Sequence, residues 1–157
     1  MKRLLICLFL VLPLLAQTPV SNPYDPLRDP AKDLSKAMAE AHATGRNILL
    51  DVGGNWCGWC HHLDKFFVDH PELRELRDKN YVLVYVNFSR ENENRPFLKQ
   101  FPAIKGFPHL FVLNADGKLI RSEDTGPLED GHSSYVPERV REFLTIYGPQ
   151  KQAAAGQ

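Results

Sequence analysis

The chain has 157 residues, of which 43% are hydrophobic and 24% are charged, and its 19 basic and 19 acidic side chains give a formal net charge of zero. This length suits one domain with a core of its own. The balanced charge gives no sign of the strongly basic character that is typical of proteins that bind nucleic acid or anionic lipid.

The N-terminus has the pattern of a secretory signal peptide. Lys2 and Arg3 precede an apolar run over 4–15, and Ala16 is a small residue suited to peptidase cleavage. The apolar run is shorter than the about 20 residues that a membrane-spanning helix needs. We therefore expect residues 1–16 to be a cleaved signal peptide and the mature protein to be periplasmic or secreted, with no membrane span. An uncleaved N-terminal anchor is the alternative.

Cleavage changes the cysteine content of the chain. Cys7 is lost with the signal, so the mature protein keeps Cys57 and Cys60, which two residues separate. Export places this pair where disulfides form. A disulfide across so short a loop removes little entropy from the unfolded chain. A reactive or metal-binding role is therefore favoured over a structural one.

Beyond the signal, the composition divides the chain into three segments. Residues 17–28 are rich in proline and turn formers and are predicted to form an extended lead-in. A single domain is predicted over 29–148. The tail over 149–157 is small and polar, and is predicted to be disordered.

Helices and strands alternate in the predicted domain. Asp29 is suited to cap a helix that starts at Pro30, and Gly45 is typical of a helix end. The remaining elements follow from apolar periodicity and turn residues. In chain order we predict a helix from Pro30 to Gly45, a strand over 47–52, a helix from near Cys57 to His70, a short helical piece over 71–76, a strand over 81–88, a short helix over 96–101, strands over 109–113 and 118–121 joined by a turn, a solvated loop over 122–134 and a helix over 136–147. This order predicts an α/β fold with a central mixed β-sheet flanked by helices.

The chemistry is predicted to lie at residues 56–60, Trp-Cys-Gly-Trp-Cys, between a predicted strand and a predicted helix. A thiol at a helix N-terminus is close to unpaired backbone N–H groups and to the positive end of the helix dipole, which lower its pKa. Cys57 is therefore the candidate nucleophile. Cys60 lies about one turn further on, where it can attack a mixed disulfide formed at Cys57.

Several motifs taken together resemble the thioredoxin superfamily. They are Asp51, the 56–60 motif and Gly-Phe-Pro at 106–108, and the His-His-Leu, Phe-Phe and Pro-Glu-Leu segments at 61–63, 66–67 and 71–73 resemble the exported thioredoxin-like branch in particular. The resemblance implies a thioredoxin fold and a thiol–disulfide oxidoreductase that acts on protein disulfides without a cofactor.

The resemblance also assigns roles to individual residues. Asp51 matches the family's buried carboxylate, which passes protons to and from the resolving cysteine, and burial is expected to raise its pKa. Pro108 matches the cis-proline that faces the cysteines, and Phe107 would offer backbone groups to an extended substrate segment. Trp56 and Trp59 are candidates for an apolar substrate platform. The alternatives are that Asp51 hydrogen-bonds a strand end and that Trp56 braces its loop.

The chain departs from the family pattern at Tyr85, where the family often has a lysine near the buried acid. The Gly58-Trp59 dipeptide is also atypical, so the motif does not define the direction of electron flow. We favour a reductase, because Asp51 would ease deprotonation of Cys60. The expected partners are proteins with disulfides or thiols and a membrane thiol-electron donor, with no nucleic acid, and we expect a monomer.

Three alternatives remain open from the sequence. Residues 57–61 formally fit the c-type haem attachment pattern, although no methionine follows them as a second axial ligand. Cys57, Cys60, His61 and His62 are suitable donors for zinc, but adjacent helical residues point about 100° apart, which separates the two imidazoles. The third alternative is a peptide-binding module that keeps the fold without turnover.

Overall fold

The computed structural model describes residues 22–150. The predicted signal peptide and Cys7 lie outside the described residues, as do the first part of the lead-in and most of the tail. Among residues 22–150, no helix combines the length and the apolar character needed to cross a membrane. The described helices are α1 (Pro30–Thr44), α2 (Gly58–Asp69), α3 (Pro71–Asn80), α4 (Arg95–Leu98) and α5 (Pro137–Ile146), with a 3-10 helix at Gly126–Leu128, and the strands are β1 (Asn47–Gly53), β2 (Tyr81–Asn87), β3 (His109–Leu113) and β4 (Leu119–Asp124).

Local chemistry at both ends of α1 explains its bounds. The Asp29 carboxylate accepts hydrogen bonds from the backbone N–H groups of Ala31 and Lys32, at 3.0 and 3.3 Å. These bonds satisfy donors that a helix start otherwise leaves free. Gly45 ends the helix with φ of 69°, in the left-handed region that favours glycine. The helix predicted from the cap, the proline and the glycine is confirmed.

The four strands form one mixed sheet in the order β2-β1-β3-β4. β1 pairs parallel to β2 and antiparallel to β3, which in turn pairs antiparallel to β4. The predicted α/β fold with a central mixed sheet is confirmed. β1 is central, and all seven of its residues are buried. It therefore carries side chains into both layers of helices.

Alternate residues of β1 face the two layers. Ile48, Leu50 and Val52 pack in a cluster with α1 and α4. Leu49 belongs to the other cluster, which includes side chains of α2, α3 and α5. Because side chains in a strand alternate between faces, Asp51 lies on the same side as Leu49. A carboxylate is thereby turned towards α2, the helix that follows the cysteine motif.

α3 is longer than the predicted piece over 71–76, since it continues to Asn80. Its Leu73 side chain is fully buried. The Arg77 guanidinium lies 4.5 Å from the centre of the Phe67 ring on α2. A cation over an aromatic ring is stabilising. This contact with α2 therefore stabilises the last turn of α3, whose own residues are polar.

The prediction of a solvated loop over 122–134 is wrong at its start. β4 continues to Asp124 and pairs with β3 along its last residues, and the 3-10 helix follows. Glu123 is buried within this strand, and its carboxylate accepts a hydrogen bond from Arg121 at 2.6 Å. The acidic residues that suggested a solvated loop thus include one whose charge is paired within the sheet.

Candidate active site

Cys57 and Cys60 form a disulfide at the N-terminus of α2, with their Cα atoms 5.3 Å apart. Cys57 is the capping residue, and its sulfur accepts a hydrogen bond from the backbone N–H of Cys60 at 3.2 Å. Cys57 keeps 4% of its surface exposed, whereas Cys60 has none. Cys57 is therefore the sulfur that faces solvent, and Cys60 lies behind it.

Gly53, at the end of β1, lets the disulfide approach the strand closely. A Cβ atom on this residue would lie 2.5 Å from the Sγ atom of Cys60 and 3.0 Å from the ring of Tyr24. Contacts under 3.0 Å are essentially never made by real Cβ atoms, so any side chain here would displace its neighbours. The glycine before the motif is thus explained by packing against Cys60 and Tyr24.

Asp51 lies two residues before Gly53, on the same face of β1, and is 4% exposed. Its carboxylate accepts a hydrogen bond from the Tyr24 hydroxyl at 2.8 Å. Burial raises the pKa of Asp51 from 3.8 to about 7, because the charged form loses its hydration. The Tyr24 hydrogen bond and the positive charge of Arg77 oppose this rise, whereas the Asp64 carboxylate adds to it.

A second carboxylate and a second tyrosine extend this arrangement. The parallel register of β1 and β2 pairs Asp51 with Tyr85, but the Tyr85 hydroxyl donates to Asp64 on α2, at 2.9 Å. Burial raises the pKa of Asp64, and the hydrogen bond from Tyr85 acts in the opposite direction. Tyr85 therefore does not take over the role of a charged partner to Asp51; that carboxylate is bound by Tyr24 instead.

Aromatic side chains border the outer side of the disulfide. Trp56 is 59% exposed, and its indole N–H donates to the Phe88 carbonyl oxygen at 2.7 Å. The Trp56 ring contacts Phe107 edge-on at 5.5 Å, and Phe88 and Phe107 stack at 4.8 Å. The peptide bond from Phe107 to Pro108 is cis, as the resemblance implies. Trp56 both braces its loop and presents an apolar face to solvent.

Trp59 and the two histidines after the motif have other neighbours. The Trp59 ring contacts the rings of His62 and Tyr135, at 5.2 and 5.7 Å. The Nε2 atom of His61 lies 2.9 Å from the carbonyl oxygen of Asn55. The two imidazoles thus take separate partners, and within residues 22–150 no group of three or more His, Cys, Asp or Glu side chains is arranged to hold a metal ion.

More than half of the chain is similar to one known protein family. A family model described as thioredoxin-like matches residues 29–115, which is more than half of the chain. The chain belongs to the thioredoxin-like family. The matched segment includes Asp51, both cysteines and Pro108, so the resemblance predicted from these residues is confirmed.

Curated relatives of this thioredoxin-like protein are named for reactions of thiols and disulfides. The thiol:disulfide interchange protein DsbE of Pseudomonas aeruginosa is 28% identical over 88 residues, which cover 56% of this chain and 44% of that protein. The disulfide bond reductase DsbH of Chlamydia pneumoniae is 25% identical over 105 residues, which cover 62% of this chain and 61% of that protein. The chain thus spans less than two thirds of the length of either relative.

Solved structures show the same architecture. The disulphide isomerase of Xylella fastidiosa Temecula1 has a TM-score of 0.68 and 25% identity, over 81% of this chain and 97% of that one. The oxidised C-terminal domain of Neisseria meningitidis DsbD has a TM-score of 0.55 and 18% identity, over 76% of this chain and 93% of that one. The second similarity is one of fold alone.

Within this thioredoxin-like site, the structure brings Asp51 and both cysteines together around Tyr24. The Tyr24 ring packs in one buried cluster with the disulfide, and its hydroxyl reaches Asp51. Tyr24 and Asp64 are two site residues that were not predicted from the sequence. Asp64 had a usable signal, because it follows Cys60 by four residues and so lies on the same helix face. The isolated Tyr24 in a proline-rich segment had none.

Proposed function

We propose that this chain is an exported thiol–disulfide oxidoreductase that acts on protein disulfides, and that its usual direction is reduction of the substrate. The observation that carries the proposal is the disulfide at the N-terminus of α2, with Cys57 on its outer side and the buried Asp51 carboxylate on its inner side. Burial raises the pKa of that carboxyl to about 7. A group with such a pKa exchanges protons near neutral pH, as a proton-transfer residue must. The names of the relatives agree with this chemistry.

The reaction begins from the reduced pair. The Cys57 thiolate attacks one sulfur of the substrate disulfide, so that a Cys57–substrate disulfide forms and the other substrate sulfur leaves as a thiolate. The Cys60 thiolate then attacks the sulfur of Cys57. The Cys57–Cys60 disulfide forms, and the second substrate sulfur leaves. Two electrons pass from the protein to the substrate, and a dithiol donor restores the reduced pair.

Asp51 acts in the second of these steps. Cys60 is fully buried, so bulk water has little access to the proton that its thiol must lose before attack. The Asp51 carboxylate takes this proton and later returns it when the disulfide is reduced again. A carboxylate with an ordinary pKa would be a weaker base, and burial makes Asp51 a stronger one because it raises the pKa.

We propose that the substrate binds along the outer side of the disulfide. Trp56 offers an exposed apolar face, and Phe107, before Pro108, offers backbone groups to an extended segment, as in strand addition. A groove of about 600 Å³ adjoins Trp56 and is walled by Asn55 and residues 87–91. Trp59 is assigned a smaller part in binding, because Tyr135 and His62 cover its ring.

The cellular context belongs to the same proposal. The predicted signal peptide at 1–16 would deliver the protein to the periplasm or the medium, where its substrates are proteins with disulfides or thiols. A membrane thiol-electron donor would keep the pair reduced. The protein is proposed to work as a monomer, without a cofactor and without nucleic acid.

The test is to trap the mixed disulfide. With Cys7 replaced by serine throughout, the Cys60→Ser variant should form a covalent adduct with a disulfide-containing protein such as insulin, and peptide mass mapping should place it on Cys57. Cys57→Ser is the matched control and should form none, since Cys60 is buried. Adducts of equal yield in both variants, or in neither, would contradict the mechanism.

The direction of electron flow is tested by the reduction potential of the pair, measured in glutathione buffers by counting alkylated thiols. A value near about −270 mV matches a thioredoxin-like reductant, whereas one near about −120 mV marks an oxidant. The second result would leave the chemistry at Cys57 and Cys60 standing but would overturn the proposed direction.

A further inference from the structure

The segment before α1 contributes a side chain to the proposed site. Tyr24 is fully buried and packs in one cluster with Cys57 and Cys60. Its hydroxyl donates a hydrogen bond of 2.8 Å to the Oδ1 atom of Asp51. The position that a Cβ atom of Gly53 would take lies 3.0 Å from the Tyr24 ring and 2.5 Å from the Sγ atom of Cys60, so the ring and the sulfur both pack against Gly53. Tyr24 thus touches the disulfide with its ring and the carboxylate with its hydroxyl.

Side-chain amides hold this segment in place. The Asn55 amide, next to the cysteine motif, donates to the backbone carbonyl of Tyr24 at 2.7 Å. The Asn92 amide, in the loop after β2, donates to the carbonyl of Pro26 at 2.9 Å. The segment is therefore tied to two loops, one of them the loop that carries Cys57. Such ties fix the direction in which the Tyr24 side chain enters the protein.

We infer that Tyr24 is a positioning residue that holds the Asp51 carboxylate on the inner side of the disulfide and keeps water from it. The role presupposes the proposed function, in which Asp51 takes the proton of Cys60. A phenol beside a carboxylate donates its hydrogen bond to the ionised form and stabilises that form. Tyr24 would thus keep enough of Asp51 ionised to act as a base, even though burial favours the protonated acid.

The other groups near Asp51 define what Tyr24 adds. Within residues 22–150, five side chains have electrostatic interactions with Asp51: Tyr24 from the lead-in, Asp64 from α2, Arg77 from α3, Tyr85 from β2 and Tyr135 from the segment before α5. Asp64 raises the pKa of Asp51, and Arg77 lowers it through its charge. Tyr24 is the one of these five whose hydrogen bond to Asp51 the structure records.

The test compares two buried tyrosines in the full-length, oxidised chain. Tyr24→Phe removes the hydroxyl and keeps the ring. The Asp51 carboxyl carbon, labelled with ¹³C and assigned by its loss in Asp51→Asn, should then titrate about one pH unit higher, a tenfold change. Tyr81→Phe is the control: Tyr81 is also buried, but its hydroxyl donates to the Leu144 carbonyl at 3.0 Å. It should leave the titration of Asp51 unchanged.

The rate of insulin reduction supplies the second readout. In Tyr24→Phe, the rise of the rate with pH should move upward together with the titration of Asp51, and in the Asp51→Asn background Tyr24→Phe should change the rate by less than about twofold. If Tyr24→Phe left the titration of Asp51 where Tyr81→Phe leaves it, the inference would be overturned. A shifted titration in a protein that reduces no disulfide would uphold the positioning and defeat the proposed function.

Discussion

Asp51 is expected to make the oxidised protein less stable as the pH rises. An aspartate carboxyl group has a pKa of 3.8 when it is exposed to water, as in the unfolded chain, whereas that of Asp51 is about 7 in the folded protein. Between these values the folded state binds more protons than the unfolded state, so its stability falls with rising pH across that window. At about 1.4 kcal/mol for each pH unit, a buried Asp51 carboxylate costs about 4 kcal/mol above pH 7.

Asp51→Asn removes this charge and keeps the shape of the side chain. At pH 4 about half of the unfolded chains but almost none of the folded ones carry this charge, so the variant should unfold with a free energy within about 1 kcal/mol of the native value. At pH 8 it should be more stable than the native protein by up to about 4 kcal/mol. Urea unfolding of both proteins in the oxidised form at the two pH values measures the difference.

A matched control separates burial from charge alone. Asp69→Asn removes an exposed carboxylate from the end of α2, where it forms a surface ion pair with Lys65, and should change the stability by less than about 0.5 kcal/mol at either pH. If Asp51→Asn showed the same difference at pH 4 and pH 8, the pKa of Asp51 would not be raised by burial. Its assignment as a base near neutral pH would then lose its physical basis.

Two other substitutions test the packing and the outer surface of the site. Gly53→Ala should destabilise the oxidised protein in urea by about 1–3 kcal/mol, because its Cβ would lie 2.5 Å from the sulfur of Cys60. Gly58→Ala is the control, because a Cβ atom there would have no atom within 4 Å. An equal loss of stability in that variant would contradict the steric explanation. Trp56→Ala should raise KM for insulin and leave the rate with a small-molecule disulfide within about twofold. Val68→Ala, an exposed control on α2, should change neither, and equal losses with both substrates in Trp56→Ala would mean that Trp56 only braces its loop.

The elements that were predictable are those whose bounds are set by neighbouring residues. Asp29 and Gly45 define the ends of α1 through hydrogen bonds and backbone angles within a few positions. The end of α3 was not predictable in this way, because Arg77 is placed by a contact with α2. The extension of β4 depends likewise on pairing with β3 and on the partner of Glu123.

The same distinction applies to the site. Asp51, Cys57 and Cys60 lie within ten residues of one another, so a strand, a turn and a helix start suffice to predict that they meet. Tyr24 reaches Asp51 across 27 positions in the sequence, from a segment without periodic structure. Nothing local to a tyrosine among prolines indicates that it is buried. That contact exists only because the lead-in folds back against the loop of the cysteine motif.

The neutral tyrosines beside the two carboxylates have a chemical consequence. A buried cation beside Asp51 would strongly favour the carboxylate and draw its pKa down, towards the range in which it holds no proton at neutral pH. Tyr24 and Tyr85 instead donate neutral hydrogen bonds, one to Asp51 and one to Asp64. A neutral donor offsets only part of the desolvation, so the pKa of Asp51 stays at about 7. In the proposed cycle of oxidation and reduction, such a carboxylate would both take a proton from Cys60 and give it back.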